Sequence, residues 1–181
     1  MSLDGFTAGP SISPELPMGA GGEKLHEWLF SSKTDIDKEI IDELVNTSGA
    51  VILGRRTYDV GIGDPWGGVS PFSVPAFVVS SGRPEKMVDG FNYINDGIKS
   101  ALNQAKSIAG DKNVWIMGGA NLAGQYIKAQ LIDELHIHLV QLLLGAGSRL
   151  FESTGPSSIE LEKIKSIESG RATHFIFRVV K

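Results

Sequence analysis

Apolar and polar residues follow two different periods along the chain, and these periods predict its strands and helices. Short apolar runs bounded by Gly, Pro or Ser are typical of buried strands. Such runs occur at VILG (51–54), PAFVVSS (75–81) and NVWIMGG (113–119). Further strands are predicted at ELHIHLVQLLL, SIELEKIKSIES and THFIFRVV.

Two segments show the three-to-four-residue apolar period of an amphipathic helix. In TDIDKEIIDELVNTSG, Thr34 or Asp35 would cap the start of the helix and Gly49 its end. NDGIKSALNQAKSIAG repeats the pattern, and EKLHEWLF predicts a shorter helical segment. The residues expected to face inward are Ile36, Ile40, Ile41, Leu44 and Val45 in the first helix and Ile98, Leu102 and Ala105 in the second.

Strands and helices that alternate, followed by a run of strands, predict an α/β fold. We expect a mostly parallel central sheet with helices on both faces and an antiparallel edge formed by the C-terminal strands. At 181 residues the chain has the length of a single domain, 1–181. Residues 7–22 are rich in Gly, Pro and Ser and predict a long loop. Long loops in compact domains are often functional.

Composition excludes several classes of function. With a Cys count of 0 the chain has no disulfide, thiolate metal ligand or cysteine nucleophile, so the usual zinc deaminase centre is excluded. A formal net charge of -4, with 17 basic residues spread along the chain, argues against nucleic-acid binding. No apolar run approaches the ~20 residues of a membrane span, and residues 1–20 lack the pattern of a targeting signal. We therefore expect a cytoplasmic protein.

Three predicted strand ends carry residue types that suit phosphate groups. In GRRTY, Gly54 allows a tight turn, while Arg55 and Arg56 offer guanidinium groups. GGANLAG supplies a second glycine turn before a helix, and SSGR follows a third strand. Each motif alone has a simpler explanation, since a glycine pair is often only a turn and the arginines would only solvate a helix start. Together they predict one phosphate site, because ligands of open α/β sheets gather at the carboxyl ends of strands.

The motifs MSLDGF, GRRTY, VVSS, IMGGANL and LLLGAGSRLF follow one another in this order. In this arrangement nearly the whole chain resembles the dihydrofolate reductase-like fold, and most closely the reductase domains related to bacterial riboflavin biosynthesis. SLDG and LLGxGxRLF separate this branch from true dihydrofolate reductases. The resemblance implies a reductase without a deaminase domain, because the His-x-Glu and Cys-x-x-Cys ligands of the deaminase are absent.

The resemblance also implies a binding site for NADPH across the sheet. Arg55, Arg56 and Thr57 would hold the 2′-phosphate and the pyrophosphate. Ser80, Ser81 and Arg83 would border the adenosine ribose and its 2′-phosphate. A dinucleotide with an extra phosphate favours guanidinium groups, so NADPH is expected over NADH. The residues that would approach the pyrophosphate at the two glycine turns are Gly54, Gly118, Gly119, Ala120, Asn121 and Leu122.

At the substrate end the chain departs from both groups of relatives. The riboflavin-pathway reductases carry an acidic substrate-binding residue just before the glycines of the last motif, where this chain has Met117. True dihydrofolate reductases place a carboxylate in the helix before GRRTY, near a Trp-Phe pair. Around Trp28 the nearest carboxylates are Glu23 and Glu27, and neither is in register. Asp4 is the best remaining candidate for a catalytic, substrate-binding carboxylate, although Asp-Gly is equally ordinary turn chemistry.

Aromatic residues offer a wall or lid for a flat heterocycle. Trp28, Trp66 and Phe72 are the candidates, with Met117 also at the substrate end. The alternative is that Trp28 only packs in the core and that DPWGG is only a loop.

His136 and His138 alternate with apolar residues and therefore project to one face of a strand. Because no third ligand stands at a suitable spacing, we favour a solvent or subunit contact over a metal site. In LLLGAGSRLF, Gly145 and Gly147 are interpreted as a structural turn near the pocket.

The sequence thus predicts an NADPH-dependent reductase that transfers hydride to a C=N or C=O bond of a small heterocyclic substrate, pyrimidine- or pterin-like. It would be related to 5-amino-6-(5-phosphoribosylamino)uracil reductase. Two alternatives stay open: weak dihydrofolate reduction, and nucleotide binding without turnover. The resemblance implies a homodimer with the C-terminal strands as its contact. SLDGF has the pattern of a strand end, so we expect further apolar residues to be encoded before Met1.

Overall fold

The computed structural model describes residues 1–31, 34–152, 155 and 158–181. Strands and helices alternate through the middle of the chain, and strands dominate its last third. The strands are β1 (Phe6–Ala8), β2 (Ser48–Gly54), β3 (Ala76–Val79), β4 (Phe91–Ile94), β5 (Asn113–Ile116), β6 (Glu134–Val140), β7 (Ser148–Arg149), β8 (Leu161–Glu168) and β9 (Ala172–Val179). The α-helices are α1 (Glu27–Phe30), α2 (Asp35–Thr47), α3 (Arg55–Gly61), α4 (Ile98–Ala109) and α5 (Ala120–Lys128), with short 3-10 helices at Gly22–His26 and Asp64–Trp66.

A four-stranded parallel sheet, in the order β4-β3-β2-β5, forms the centre of the α/β part. Its strands are apolar runs because both faces are covered. On one face Ile52 and Phe77 pack with residues of α4 and α5. On the other face Val51 and Leu53 pack with Tyr58 of α3 and the aromatic side chains of the following loop. The predicted parallel sheet with helices on both faces is confirmed.

The predicted antiparallel C-terminal strands are also confirmed. They form a three-stranded sheet in the order β6-β9-β8, with His138 of β6 directly opposite His174 of β9. The short strand β1 pairs with β7, and Ser2 forms a parallel bridge with Val140 at the end of β6. A third core cluster lies here, where Trp28 packs with Val140 and Ala172.

Helix α2 begins as predicted but ends differently. The side chain of Thr34 accepts a hydrogen bond from the backbone N–H of Asp37, whose carboxylate accepts one in return from the backbone N–H of Thr34. This reciprocal pair is a capping box. The prediction that Gly49 ends the helix was wrong, because Ser48 already opens β2 and Gly49 lies within that strand. A Cβ at Gly49 would lie 2.8 Å from the Cα of Ala109, so only glycine allows this approach of β2 to α4.

The inward face of α2 is also rotated from the predicted one. Ile36 and Val45 are exposed by 41 % and 43 %, whereas Asp37 is fully buried. Apolar spacing alone could not show this, because the buried position is filled by a carboxylate that has its own polar partners. Across the residues that the structure describes, no helix is long and apolar enough to cross a membrane.

Candidate functional site

Three predicted motifs lie at one edge of the parallel sheet, at the carboxyl ends of its strands. Gly54 ends β2, Ser80 follows β3 and Met117 follows β5. Since β2 pairs in parallel with both β3 and β5, the three strand ends are neighbours. This is the edge at which open α/β sheets bind ligands.

Arg55 connects two of these strand ends. Its Nε donates to the carboxylate of Asp59, 2.7 Å from each oxygen, and its Nη1 donates to the carbonyls of Gly82 at 3.3 Å and Arg83 at 3.0 Å. Within the residues that the structure describes, these bonds use the Nε and Nη1 donors, and none uses Nη2, the other arm of the guanidinium fork. Arg55 therefore offers one oriented donor group beside the turn after β3.

Arg56 is exposed and has no hydrogen-bond or ion-pair partner among the described residues. It lines a cavity of ≈ 260 Å³ together with residues 9–12 of the glycine-rich loop and with Gly147 and Ser148. A guanidinium group in a small polar cavity is suited to an anionic oxygen. The two arginines, adjacent in sequence, thus have different environments.

The glycine turn after β5 fits closely against GRRTY. Gly118 and Gly119 have φ values of 57° and 77°, which favour glycine. A Cβ at Gly119 would lie 3.2 Å from Oγ1 of Thr57, and a Cβ at Gly54 would lie 3.7 Å from Cβ of Leu122. The backbone of the turn is therefore accessible beside the Thr57 hydroxyl, where a larger side chain would intrude.

The remaining residues of this turn lie at the start of α5. Ala120 opens the helix, Leu122 is buried beneath it, and the exposed side chain of Asn121 accepts a hydrogen bond of 2.8 Å from Gln125. The turn after β3 is organised locally. The Ser80 hydroxyl donates to the carbonyl of Gly82, and Nε of Arg83 contacts Sδ of Met87 at 2.8 Å, while Ser81 is exposed.

Asp4 is bound to a loop far along the chain. Its carboxylate accepts hydrogen bonds from the backbone N–H groups of Leu144 at 3.0 Å and Gly145 at 2.7 Å, and its carbonyl accepts one of 2.9 Å from Arg149. A hydrogen bond from Ser2 and those from the loop lower the pKa of Asp4 to about 2. This geometry gives the Asp4 carboxylate structural partners in the loop that contains Gly145.

The structure brings two of the three predicted wall residues together, Trp66 and Phe72, and separates Trp28 from them. Trp28 is 5 % exposed and packs on the rings of His138 and His174, with centroids 4.7 and 4.9 Å away. Trp66 instead packs with Phe72 and Phe91 on the α3 face of the parallel sheet, in the cluster that also contains Met117. Trp28 and Trp66 therefore belong to different cores.

The two carboxylates weighed beside Trp28 lie on the surface. Glu23 is exposed, and Glu27 forms an ion pair of 2.5 Å with Arg171. A larger cavity of ≈ 380 Å³, lined by residues 70, 72–75 and 90–92, lies at the amino ends of β3 and β4. It is at the opposite end of the strands from the motifs, so it does not belong to the candidate site.

Sequence reasoning missed a buried polar cluster behind Trp28. Nδ1 of His138 and Nδ1 of His174 are 2.7 Å apart, and Nε2 of His174 is 3.0 Å from Oδ1 of Asp37. His136 is separate, 3.3 Å from Glu134 at the surface. Within the described ranges no group of three metal-ligating side chains is placed to hold an ion. The sequence signal was partial, because Asp37 is a carboxylate at an inward position of α2 but no spacing identifies its partners.

Comparison with known proteins places the chain in a family. Residues 1–175 match the model of the RibD C-terminal domain, so the chain belongs to that family, a family of reductase domains. Its fold is the dihydrofolate reductase-like fold of the related structures.

The chain is similar to two uncharacterized proteins of Bacillus subtilis (strain 168). YwjB is 31% identical over 153 residues, which are 83% of this chain and 85% of YwjB. YyaP is 28% identical over 167 residues, with 83% and 76% of the two chains covered.

Two solved structures share the fold. A putative riboflavin biosynthesis protein from Shewanella sp. PV-4 has a TM-score of 0.75 at 24% identity, covering 100% of this chain and 96% of that one. RibD from Acinetobacter baumannii has a TM-score of 0.65 at 15% identity, covering 99% of this chain and 56% of that one.

Proposed function

We propose that this protein is an NADPH-dependent reductase that transfers hydride to a C=N or C=O bond of a small heterocyclic substrate, pyrimidine- or pterin-like. The observation that carries the proposal is the meeting of Arg55, Arg56 and the Gly118–Gly119 turn at one edge of the parallel sheet. Membership of a reductase-domain family supports the reaction class. Residues and family therefore both support the proposal of a phosphate-bearing redox cofactor.

The residues at this edge fit the phosphates of NADPH. The Nη2 group of Arg55, beside the turn that contains Ser80 and Arg83, would hold the 2′-phosphate. Arg56 and the Gly118–Gly119 backbone beside Thr57 would hold the pyrophosphate, because a cation and accessible backbone amides both favour negative charge. When bound, NADPH would supply the hydride.

The protein's own part in the reaction would be to align substrate with cofactor and to exclude water. Asp4 is occupied by the amides of Leu144 and Gly145, and Met117 stands where the riboflavin-pathway reductases have an acid. Among the described residues, the proposed site therefore offers no carboxylate committed to the substrate, and water is the proposed source of the proton. Without such a carboxylate to pair with a positive charge, the proposed site favours neutral substrates over cationic ones.

Binding of the two nucleotides tests the cofactor assignment. Tryptophan fluorescence of the full chain would be titrated with NADPH and NADH for the wild type, Arg55→Ala, Arg56→Ala and the control Arg178→Ala. Arg178 is an exposed arginine paired with Glu162 on the antiparallel sheet. We expect the wild type to bind NADPH more tightly than NADH. Arg55→Ala should lose this preference, because its affinity for NADPH should fall ~10-fold, as expected for loss of a charge-assisted hydrogen bond. Equal, unaltered binding in all four proteins, or no binding, would refute the proposal.

Oxidation of NADPH would then be followed with a panel of pterins, aminopyrimidines and cyclic imines. Oxidation that depends on one compound supports the reductase and identifies its substrate class. NADPH binding without oxidation across the panel would favour the alternative of a nucleotide-binding protein.

A further inference from the structure

A chain of hydrogen-bonded side chains joins helix α2 to the antiparallel sheet. Oδ2 of Asp37 accepts from the Thr34 hydroxyl at 2.7 Å, and Oδ1 lies 3.0 Å from Nε2 of His174. Nδ1 of His174 lies 2.7 Å from Nδ1 of His138 on the neighbouring strand. Asp37 is 0 % and His174 3 % exposed, and Trp28 of α1 covers both imidazoles. None of these groups belongs to the proposed cofactor site.

The geometry limits how many protons the two histidines can carry. An ionised Asp37 accepts from Nε2–H of His174, so a neutral His174 must use its Nδ1 as an acceptor. His138 then donates its Nδ1–H across the 2.7 Å contact. One additional proton can be accommodated, since either imidazole can then be the donor. A second additional proton would point two N–H groups at each other, and the contact would break.

We propose that Asp37, His174 and His138 form an acid-sensitive latch between α2 and the antiparallel sheet. The latch holds α2 and Trp28 on the sheet while the histidine pair carries at most one additional proton. It releases them when both imidazoles are charged. The latch joins α2, β6 and β9. These elements are distant in sequence, and Asp37 lies 137 residues from His174. It does not depend on the proposed reductase function.

The groups around the latch disfavour additional positive charge. The amino group of Met1 donates to the carbonyl of His138 at 2.6 Å, and His136 lies two residues away on the same strand face. His26 lies near the charged amino terminus, and the ion pair Glu27–Arg171 joins α1 to the start of β9. Asp37 is the opposing negative charge, and Glu134 pairs with His136 at the surface. Burial, the charge of His174 and the amino terminus together lower the pKa of His138 to about 3.

The pKa values of Asp37 and His174 are both lowered, as expected for an uncharged imidazole pair beside a carboxylate. Burial alone would raise the pKa of Asp37, but hydrogen bonds from Thr34, Ser169 and His174 outweigh it and hold the pKa below its usual value. Burial lowers the pKa of His174, and Asp37 only partly opposes this. A folded state that binds protons less readily than the unfolded chain loses stability as the pH falls from about 6.5, the ordinary value for histidine.

The test is the pH dependence of unfolding in urea for wild type, His138→Asn and the control His136→Asn. Asparagine at 138 places an N–H donor near the Nδ1 position but cannot take up a proton. We expect wild type and His136→Asn to lose stability together between pH 6.5 and 4. On unfolding, His138→Asn should take up about one proton fewer than the wild type, so that its unfolding constant rises about tenfold less for each pH unit of acidification. Equal slopes in all three proteins would refute the latch.

A direct measurement keeps the proposal testable if His138→Asn does not fold. In wild type labelled with ¹⁵N-histidine, the ring nitrogens of His138 and His174 report tautomer and charge during an acid titration. Charging of both rings, with loss of the hydrogen bond between their Nδ1 atoms, should coincide with faster hydrogen exchange of the α2 amides. A folded state in which both rings are charged and the α2 amides stay protected would overturn the proposal.

Discussion

Arg55 and Asp59 form an ion pair of 2.7 Å one turn apart on α3, and the same guanidinium donates to the carbonyls of Gly82 and Arg83. Arg55 therefore fixes the turn after β3 to the helix after β2. A single side chain has a structural role and a proposed binding role. The neighbouring Arg56 has only the proposed binding role, so variants of the two arginines can be compared to separate stability from binding.

Replacement of each arginine by lysine should separate these roles. Arg55→Lys keeps the charge but cannot reproduce the planar fork, so we expect a loss of ~1 kcal/mol in stability, typical of net hydrogen-bond contributions. Arg56→Lys should leave the stability within ~0.5 kcal/mol, as is usual for an exposed side chain. Urea unfolding measures both. An equal loss in the two variants would show that the Arg55 bonds do not hold the turn.

The glycine turn after β5 gives a second prediction. Gly119→Ala should destabilise the protein by ~1–2 kcal/mol, because φ is 77° and the new Cβ would lie 3.2 Å from Oγ1 of Thr57. It should also weaken NADPH binding. Gly118→Ala is the control, since it shares the positive φ but its Cβ has no neighbour within 4 Å. If both variants bind NADPH equally well, the approach of Gly119 to Thr57 does not matter for the cofactor.

Asp4→Asn tests whether Asp4 is a turn residue. The pKa of Asp4 is lowered from 3.8 to about 2, so its contribution to stability is present above pH 3.8 and is lost as the pH falls towards 2. The variant should be less stable than the wild type at pH 7, and the difference should shrink towards pH 2. Hydrogen exchange at Leu144 and Gly145 should become faster. Unchanged exchange with lost NADPH oxidation would instead support a catalytic Asp4.

A homodimer through the C-terminal strands remains a prediction from the family resemblance. Strand β8 exposes Leu161 and Ile164 by 39 % and 44 %, and its far edge is unpaired within the described part of the chain. Ile164→Glu should therefore convert a dimer to a monomer in light scattering, whereas Glu162→Gln, on the same strand, should not. A wild type that is monomeric at high concentration would contradict this prediction.

The layered fold could be predicted because its signals are local. Apolar runs such as Val51–Leu53 and glycine turns mark parallel strands and their ends, and a rule of topology then places those ends together. The start of α2 could also be predicted, because its cap, Thr34, is the residue directly before the helix. Its end was not, because the role of Gly49 depends on close contact with α4, a tertiary feature.

The residue types of the candidate site could be predicted from local sequence, but their partners could not, because those contacts are tertiary. Arg55 and Arg56 are adjacent and identical in type, and only the fold shows that one is held by Asp59 while the other lines a cavity. The partners of Asp4 lie 140 and 141 residues away. No local pattern links Asp37 to His174, so the buried cluster could not be found from spacing.

The pairing of the first residues with the last third of the chain has a consequence for synthesis on the ribosome. Ser2, Asp4 and strand β1 find their partners at residues 140–149, so the N-terminal segment leaves the exit tunnel first and must wait for most of the chain to follow. The parallel sheet from β2 to β5 can assemble in the meantime. During that interval Phe6 would be solvent-exposed and available to chaperones, because the opening residues wait for a more distant partner than the strands of the parallel sheet do.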